Sequence, residues 1–181
     1  MSDALILVDI QNDYFPGGTM ELTGMAEASD LARMVVSSFR KRRAPLFHIQ
    51  HLALKPDAPF FVPNTHGVQH HEATKPNPSE IVIQKNFPNA FRDTDLEEQL
   101  RDNGVEDLVI LGAMSHMCID ATTRAAFDLG FRCTIVQDAC ATRDLAFNNQ
   151  TIPAQQVHAS FMAALSAPYA SVVSCTQYLM G

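Results

Sequence analysis

The sequence predicts a three-layer, doubly wound α/β fold, with a parallel sheet covered by helices on both sides. Three observations predict it. Six short apolar runs recur along the chain: Ala4–Ile10, Pro45–His51, Ile81–Lys85, Asp107–Met114, Arg132–Ala139 and Ala170–Cys175. Each is nearly continuous rather than alternating, which is how strands buried on both faces read. Segments with helical spacing lie between most of them, and alternating strands and helices imply right-handed crossovers.

The elements follow in order. Met25–Arg43 carries Leu31, Met34, Val35 and Phe39 at helical spacing. Thr94–Asn103 opens on Thr94 with Glu97 three residues later, the pattern of a capping box, and stops at Gly104. Met117–Leu129 places Ile119, Thr122, Ala126 and Leu129 on one face and stops at Gly130. Pro153–Leu165 groups Val157, Phe161, Ala164 and Leu165, with Pro153 suited to a first turn. Lys55–Glu80 is the one long irregular stretch, with five prolines, and reads as a functional loop.

Length and composition bound the function. The chain of 181 residues corresponds to one domain, 1–181, at about 100–200 residues per domain. With 46% hydrophobic and 18% charged residues it is not a disordered chain. A formal net charge of −7 and a single basic cluster, Arg40–Arg43, argue against nucleic acid as a partner. That cluster closes a helix, where solvated cations complement the dipole. No run approaches a membrane span, and the N-terminus lacks the pattern of a signal peptide. The four cysteines, Cys118, Cys133, Cys140 and Cys175, form no C-x-x-C pair and fit a reducing, cytoplasmic setting. Most should be buried small hydrophobes.

In an open parallel sheet, ligands bind beyond the carboxyl ends of the strands. There the sequence places three reactive groups. Asp9 sits one residue from the end of the first run, Lys85 ends the third, and Cys118 follows the fourth at the first turn of the next helix. Singly, each has a plain reading: a turn cap, a snorkelling lysine, an inert thiol. Those plain readings predict no common edge. Together the residues form an acid–base group, a cation and a nucleophile. Lys85 and the helix terminus are expected to lower the thiol pKa, and Asp9 to take and return its proton. Gly112-Ala113 lets the chain turn sharply before Cys118, where backbone N–H groups could hold an oxyanion.

Leu7–Phe15, Gln84–Phe91 and Gly112–Thr122, with Val136–Thr142, resemble the isochorismatase-like cysteine hydrolases over nearly the whole chain. The resemblance implies a six-stranded sheet of order 3-2-1-4-5-6 and a triad of Asp9, Lys85 and Cys118. It implies a cis peptide at Ala113–Met114, with the amides of Met114 and Cys118 as oxyanion donors. It also implies a homodimer or homotetramer. Members divide by substrate. Nicotinamidases carry an Asp-x-His metal motif after the second strand, where this chain reads Phe47-His48-Ile49-Gln50-His51, without the Asp. His48, His51, His66, His70 and His71 crowd one region, but solvated loop histidines are the default, so no metal is expected and zinc is the weaker alternative.

Phe15, Phe87, Phe91, Met114 and His116 flank the triad positions as candidate pocket residues, with core packing the equal alternative for the two later phenylalanines. Gln11 is expected to orient Asp9, and Asp138 to steady a turn. The reading is a small-molecule hydrolase cleaving an amide or carbamoyl C–N bond through Cys118. Two alternatives stay open. One is vinyl ether hydrolysis by Asp9 without the cysteine. The other is a non-catalytic binding or thiol redox-sensing protein.

Overall fold

The computed structural model describes residues 2–55 and 57–181. Six strands form one parallel sheet: β1 (Ser2–Val8), β2 (Leu46–His51), β3 (Ile81–Lys85), β4 (Val105–Ala113), β5 (Arg132–Ala141) and β8 (Ser171–Val173), in the order β3-β2-β1-β4-β5-β8. The expected order is met, with β8 as the sixth strand. Between β5 and β8 the chain adds an antiparallel hairpin of β6 (Leu145–Phe147) and β7 (Gln150–Ile152), which the sequence reading missed. Its two strands are short and mostly exposed, so they leave no apolar run to find.

The helices are α1 (Met25–Arg42), α2 (Leu96–Asp102), α3 (Asp120–Asp128), α4 (Ala154–Leu165) and α5 (Cys175–Met180). From β1 the chain crosses to β2, and from β4 it crosses the opposite way to β5. Crossovers of one hand running in opposite directions place α1 and α3 on opposite faces. Met25, Ala28, Ala32, Val35, Val36 and Phe39 of α1 are buried, against β5, β4 and β2. Full burial of a side chain such as Phe39 contributes about 1.5–3 kcal/mol.

Five local expectations are corrected. The helix after Thr94 begins at Leu96, with Asp95 in the cap position and no side-chain cap. Thr94 Oγ1 instead donates to Ala90 O at 2.6 Å, so the capping box does not form. The single helix expected over Met117–Leu129 is a wide π turn, Ser115–Ile119, running into α3. The last apolar run splits, because the Ser174 side chain and Gln177 form a capping box that starts α5 at Cys175. The basic end of α1 is not merely solvated: Arg40 forks onto the mostly buried Glu80 at 2.7 and 2.9 Å, and Arg42 pairs with Asp3 at 2.6 Å. Pro153 stands at the cap position of α4 rather than inside it.

The strand order reverses between β1 and β4, which pair with Val8 opposite Gly112. Gly112 has φ +121°, and a Cβ there would meet the Val8 carbonyl, so only glycine lets the two backbones approach this closely. That junction is where an α/β sheet opens a crevice for a ligand.

Candidate active site

Asp9 leaves β1 in a left-handed conformation, φ 52°, which ends the strand at Val8 rather than Ile10. Its side chain has no exposed surface. Lys85, the last residue of β3, is 1% exposed and lies opposite His51 in the β2–β3 register. Cys118 is 4% exposed within the π turn after β4. The peptide bond between Ala113 and Met114 is cis.

These three side chains meet. Lys85 Nζ lies 2.7 Å from Asp9 Oδ2 and 3.3 Å from Cys118 Sγ. The Asp9 contact is an ion pair whose angles fall short of a hydrogen bond, and Asp9 Oδ1 has no hydrogen-bond partner among the described residues. A third contact joins them: Lys85 Nζ is 2.8 Å from His51 Nδ1. Ligand atoms of Asp9, His51 and Cys118 all lie within 4.8 Å of one another. The ammonium of Lys85 contacts all three.

Burial, then the Asp9 carboxylate, pushes the Cys118 thiol up, and Lys85 only partly opposes them. This corrects the expected lowering: a thiol sealed from water beside a carboxylate holds its proton at rest. Burial works against the Lys85 ammonium, but the Asp9 carboxylate, helped by the contact with Cys118, outweighs it and holds its pKa above the usual lysine value. Burial and the Lys85 cation bring His51 down to about 4, so its ring is neutral at neutral pH.

The other predicted residues fall around this cluster in different ways. Gln11 does not touch the Asp9 side chain. Its amide clamps the His51 backbone, donating to His51 O at 3.0 Å and accepting from His51 N at 2.8 Å, and also reaches Val68 O at 2.7 Å. His116 Nδ1 contacts Thr142 Oγ1 at 2.6 Å. Phe91 stacks on Phe131 and Phe87 lies beneath the Arg92 guanidinium, both ordinary packing contacts. Phe15 stacks on His71 and lines a cavity of about 1060 Å³ between the Asn12–Thr19 segment and the loop from Ala58 to Pro76. Asp9, Lys85 and Cys118 do not line that cavity, so the convergence of side chains, not the cavity, locates the chemistry.

The histidines of the second strand and loop serve separate contacts. His48 Nε2 meets Glu80 at 2.8 Å, His66 approaches Asn12, and His71 accepts from Ala73 N. No three of these five gather as a metal-binding set among the described residues. Two residues near the triad were not singled out as partners. In the sequence His51 figures only in a candidate metal pattern. Tyr14 is buried against Phe61 and Phe60, and burial, with the Asp9 carboxylate nearby, holds its hydroxyl protonated. Its signal in the sequence is adjacency: Tyr14 follows Asp9 by five residues and ends the short 3-10 turn Asn12–Tyr14.

Cys133, Cys140 and Cys175 are unpaired and buried. Asp138 accepts from Cys175 N at 2.7 Å and so ties β5 to the start of α5.

A parallel sheet of this strand order, with an Asp–Lys–Cys cluster at its switch point, has the fold of the isochorismatase-type hydrolases. Residues 3–175 match the model of the isochorismatase domain, and the chain belongs to the isochorismatase family. It is 48% identical to the isochorismatase family protein YddQ of Bacillus subtilis, itself uncharacterized, over 99% of each chain. It is 35% identical over 144 residues to a streptothricin hydrolase of Streptomyces noursei, covering 78% of this chain and 50% of that one. A crystal structure from Oleispira antarctica, classed among the isochorismatase hydrolases, superposes with a TM-score of 0.96 at 45% identity, over 99% of this chain and 97% of the other.

Proposed function

We propose that this protein is a cysteine-dependent hydrolase that cleaves an amide or carbamoyl C–N bond of a small molecule. The single observation that carries the reading is Lys85 Nζ bridging Asp9 and Cys118 in a closed site. An ether hydrolase acting through Asp9 alone has no need of a thiol in contact with that ammonium. The streptothricin hydrolase among its relatives is named for a hydrolysis, which supports the same direction.

The steps follow from the residues. A substrate carbonyl enters beside Cys118, and Asp9 takes the thiol proton as Sγ attacks the carbonyl carbon. The oxyanion that forms is assigned to the amides of Met114 and Cys118. The C–N bond breaks, and Asp9 returns the proton to the leaving nitrogen. Water then attacks the thioester with Asp9 again as base, releasing the acid and restoring the thiol. Lys85 keeps its positive charge throughout and balances the transient thiolate. The raised thiol pKa fits this order, since the proton leaves only when a carbonyl is in place.

The reading takes no nucleic acid and no metal. No helix among the described residues is long and apolar enough to cross a membrane. The test is a hydrolysis screen of small amides, carbamoyl compounds and isochorismate, with wild type and Cys118→Ala in parallel, with and without chelator. Wild-type turnover with an acyl adduct on Cys118 by intact mass, abolished in Cys118→Ala, supports the reading. Full turnover by Cys118→Ala overturns it.

A further inference from the structure

We propose that His51 is a positioning residue for the triad: its Nδ1 accepts an N–H of Lys85 and so fixes the ammonium between Asp9 and Cys118. A lysine ammonium has three donors and no acceptor. In this structure three groups surround it: the ion-paired Asp9 Oδ2 at 2.7 Å, and the two hydrogen-bond acceptors His51 Nδ1 at 2.8 Å and Cys118 Sγ at 3.3 Å. They come from β1, β2 and the π turn, so the ammonium is held from three directions. Because Lys85 can only donate, His51 Nδ1 must be bare, which places the ring proton on Nε2.

The ring is itself held. Gln11 clamps both polar groups of the His51 backbone, and Phe61 packs beside the imidazole at 5.7 Å between centroids. The link from Gln11 to the reactive thiol therefore runs Gln11, His51, Lys85, Cys118. Without an acceptor at His51, Lys85 keeps a buried N–H with no partner, which favours turning the ammonium away from Sγ. The inference rests on the cysteine-hydrolase reading for its meaning in turnover, but its geometry needs no substrate.

The test uses iodoacetamide as probe and intact mass as readout for Cys118 in the whole protein. His51→Leu keeps bulk and removes the acceptor. His51→Asn puts Oδ1 where Nδ1 stood. Alkylation at pH 8 is expected to slow about tenfold in His51→Leu and stay within about threefold of wild type in His51→Asn, the scale of one charge-assisted hydrogen bond. Equal rates in wild type and His51→Leu, or equal slowing in both variants, overturn the proposal. Should His51→Leu not fold, the ring ¹⁵N shifts of His51 in wild type decide. A proton on Nε2 with Nδ1 bare from pH 6 to 8 supports the assignment, and a proton on Nδ1 overturns it. If Cys118→Ala turns over substrate, the hydrolase reading falls, while these two measurements still settle the place of His51.

Discussion

Lys85 Nζ stands 2.7 Å from Asp9 Oδ2, and neither side chain has exposed surface. Removing water from both charges is costly, and their mutual attraction recovers it only while both are present. Lys85→Met should therefore lose about 3–5 kcal/mol of stability, because it strands the Asp9 charge in the core. Asp9→Asn should lose a similar amount by stranding the ammonium. The double variant should be more stable than either single one, and inactive. Urea unfolding of the four proteins checks this. Strictly additive losses would show that the two charges are not coupled.

How much of this was legible in the sequence depends on reach. Continuous apolar runs gave the strands, since burial on both faces leaves a local pattern. Asp9, Lys85 and Cys118 were legible because each falls at the end of such a run. Their shared contact with His51 was not, because it depends on register: only the pairing of β2 with β3 sets His51 beside Lys85. The thiol shift was misjudged for a related reason. A sequence shows which charges are near in the chain but not how fully water is excluded from Cys118. The exposed β6–β7 hairpin leaves no apolar signature at all.

Stability should fall as the solution is acidified from pH 7 to pH 4. Burial, with the charge of Lys85 at His51 and of His48 at His70, lowers both histidines from 6.5 to about 4 in the folded chain. Between about 6.5 and 4 the unfolded chain therefore binds more protons, so stability rises with pH across that window. It is complete above the unfolded value and lost as pH falls through the folded one. Glu80 extends the loss. Burial raises its pKa, but Arg40, the Asn77 N–H and His48 together bring it down from 4.5 to about 2. Discounted for solvent, each histidine contributes on the order of 1–2 kcal/mol. Urea midpoints at pH 7, 5.5 and 4 test this, and His70→Asn should flatten the slope. An unchanged midpoint across the range would contradict it.

Ser115 should prove structural rather than a second nucleophile. Its hydroxyl is fully buried, 2.8 Å from His158 Nδ1 and 3.3 Å from Ala141 O, while His158 Nε2 approaches Gln137. The arrangement looks like an activated serine but is closed to a substrate, and it ties α4 to the turn that carries Cys118. Ser115→Ala should cost about 1–3 kcal/mol by leaving buried polar groups without a partner. A serine-directed fluorophosphonate should leave Ser115 unlabelled in the folded protein. Labelling at Ser115 by peptide mass would show that the hydroxyl is reachable.

Two glycines separate backbone strain from steric contact. Gly104 and Gly112 both have positive φ, but a Cβ at Gly104 would meet nothing within 4 Å. Gly104→Ala should cost about 1–2 kcal/mol, the penalty of the left-handed conformation alone. At Gly112 the φ of +121° lies beyond the left-handed well, a region almost reserved for glycine, and is joined by collision with the Val8 carbonyl, backbone that cannot rotate aside. Gly112→Ala should therefore cost more than about 4 kcal/mol or prevent folding. The difference matters beyond stability, because Val8 precedes Asp9 and Gly112 leads into the turn of Cys118. Forcing β1 and β4 apart at this pairing would separate the carboxylate from the thiol before the fold itself failed. A folded Gly112→Ala protein should thus show altered Cys118 alkylation, whereas Gly104→Ala, at the start of β4, should not. Equal melting temperatures for the two variants would show that the close approach of β1 and β4 is not needed.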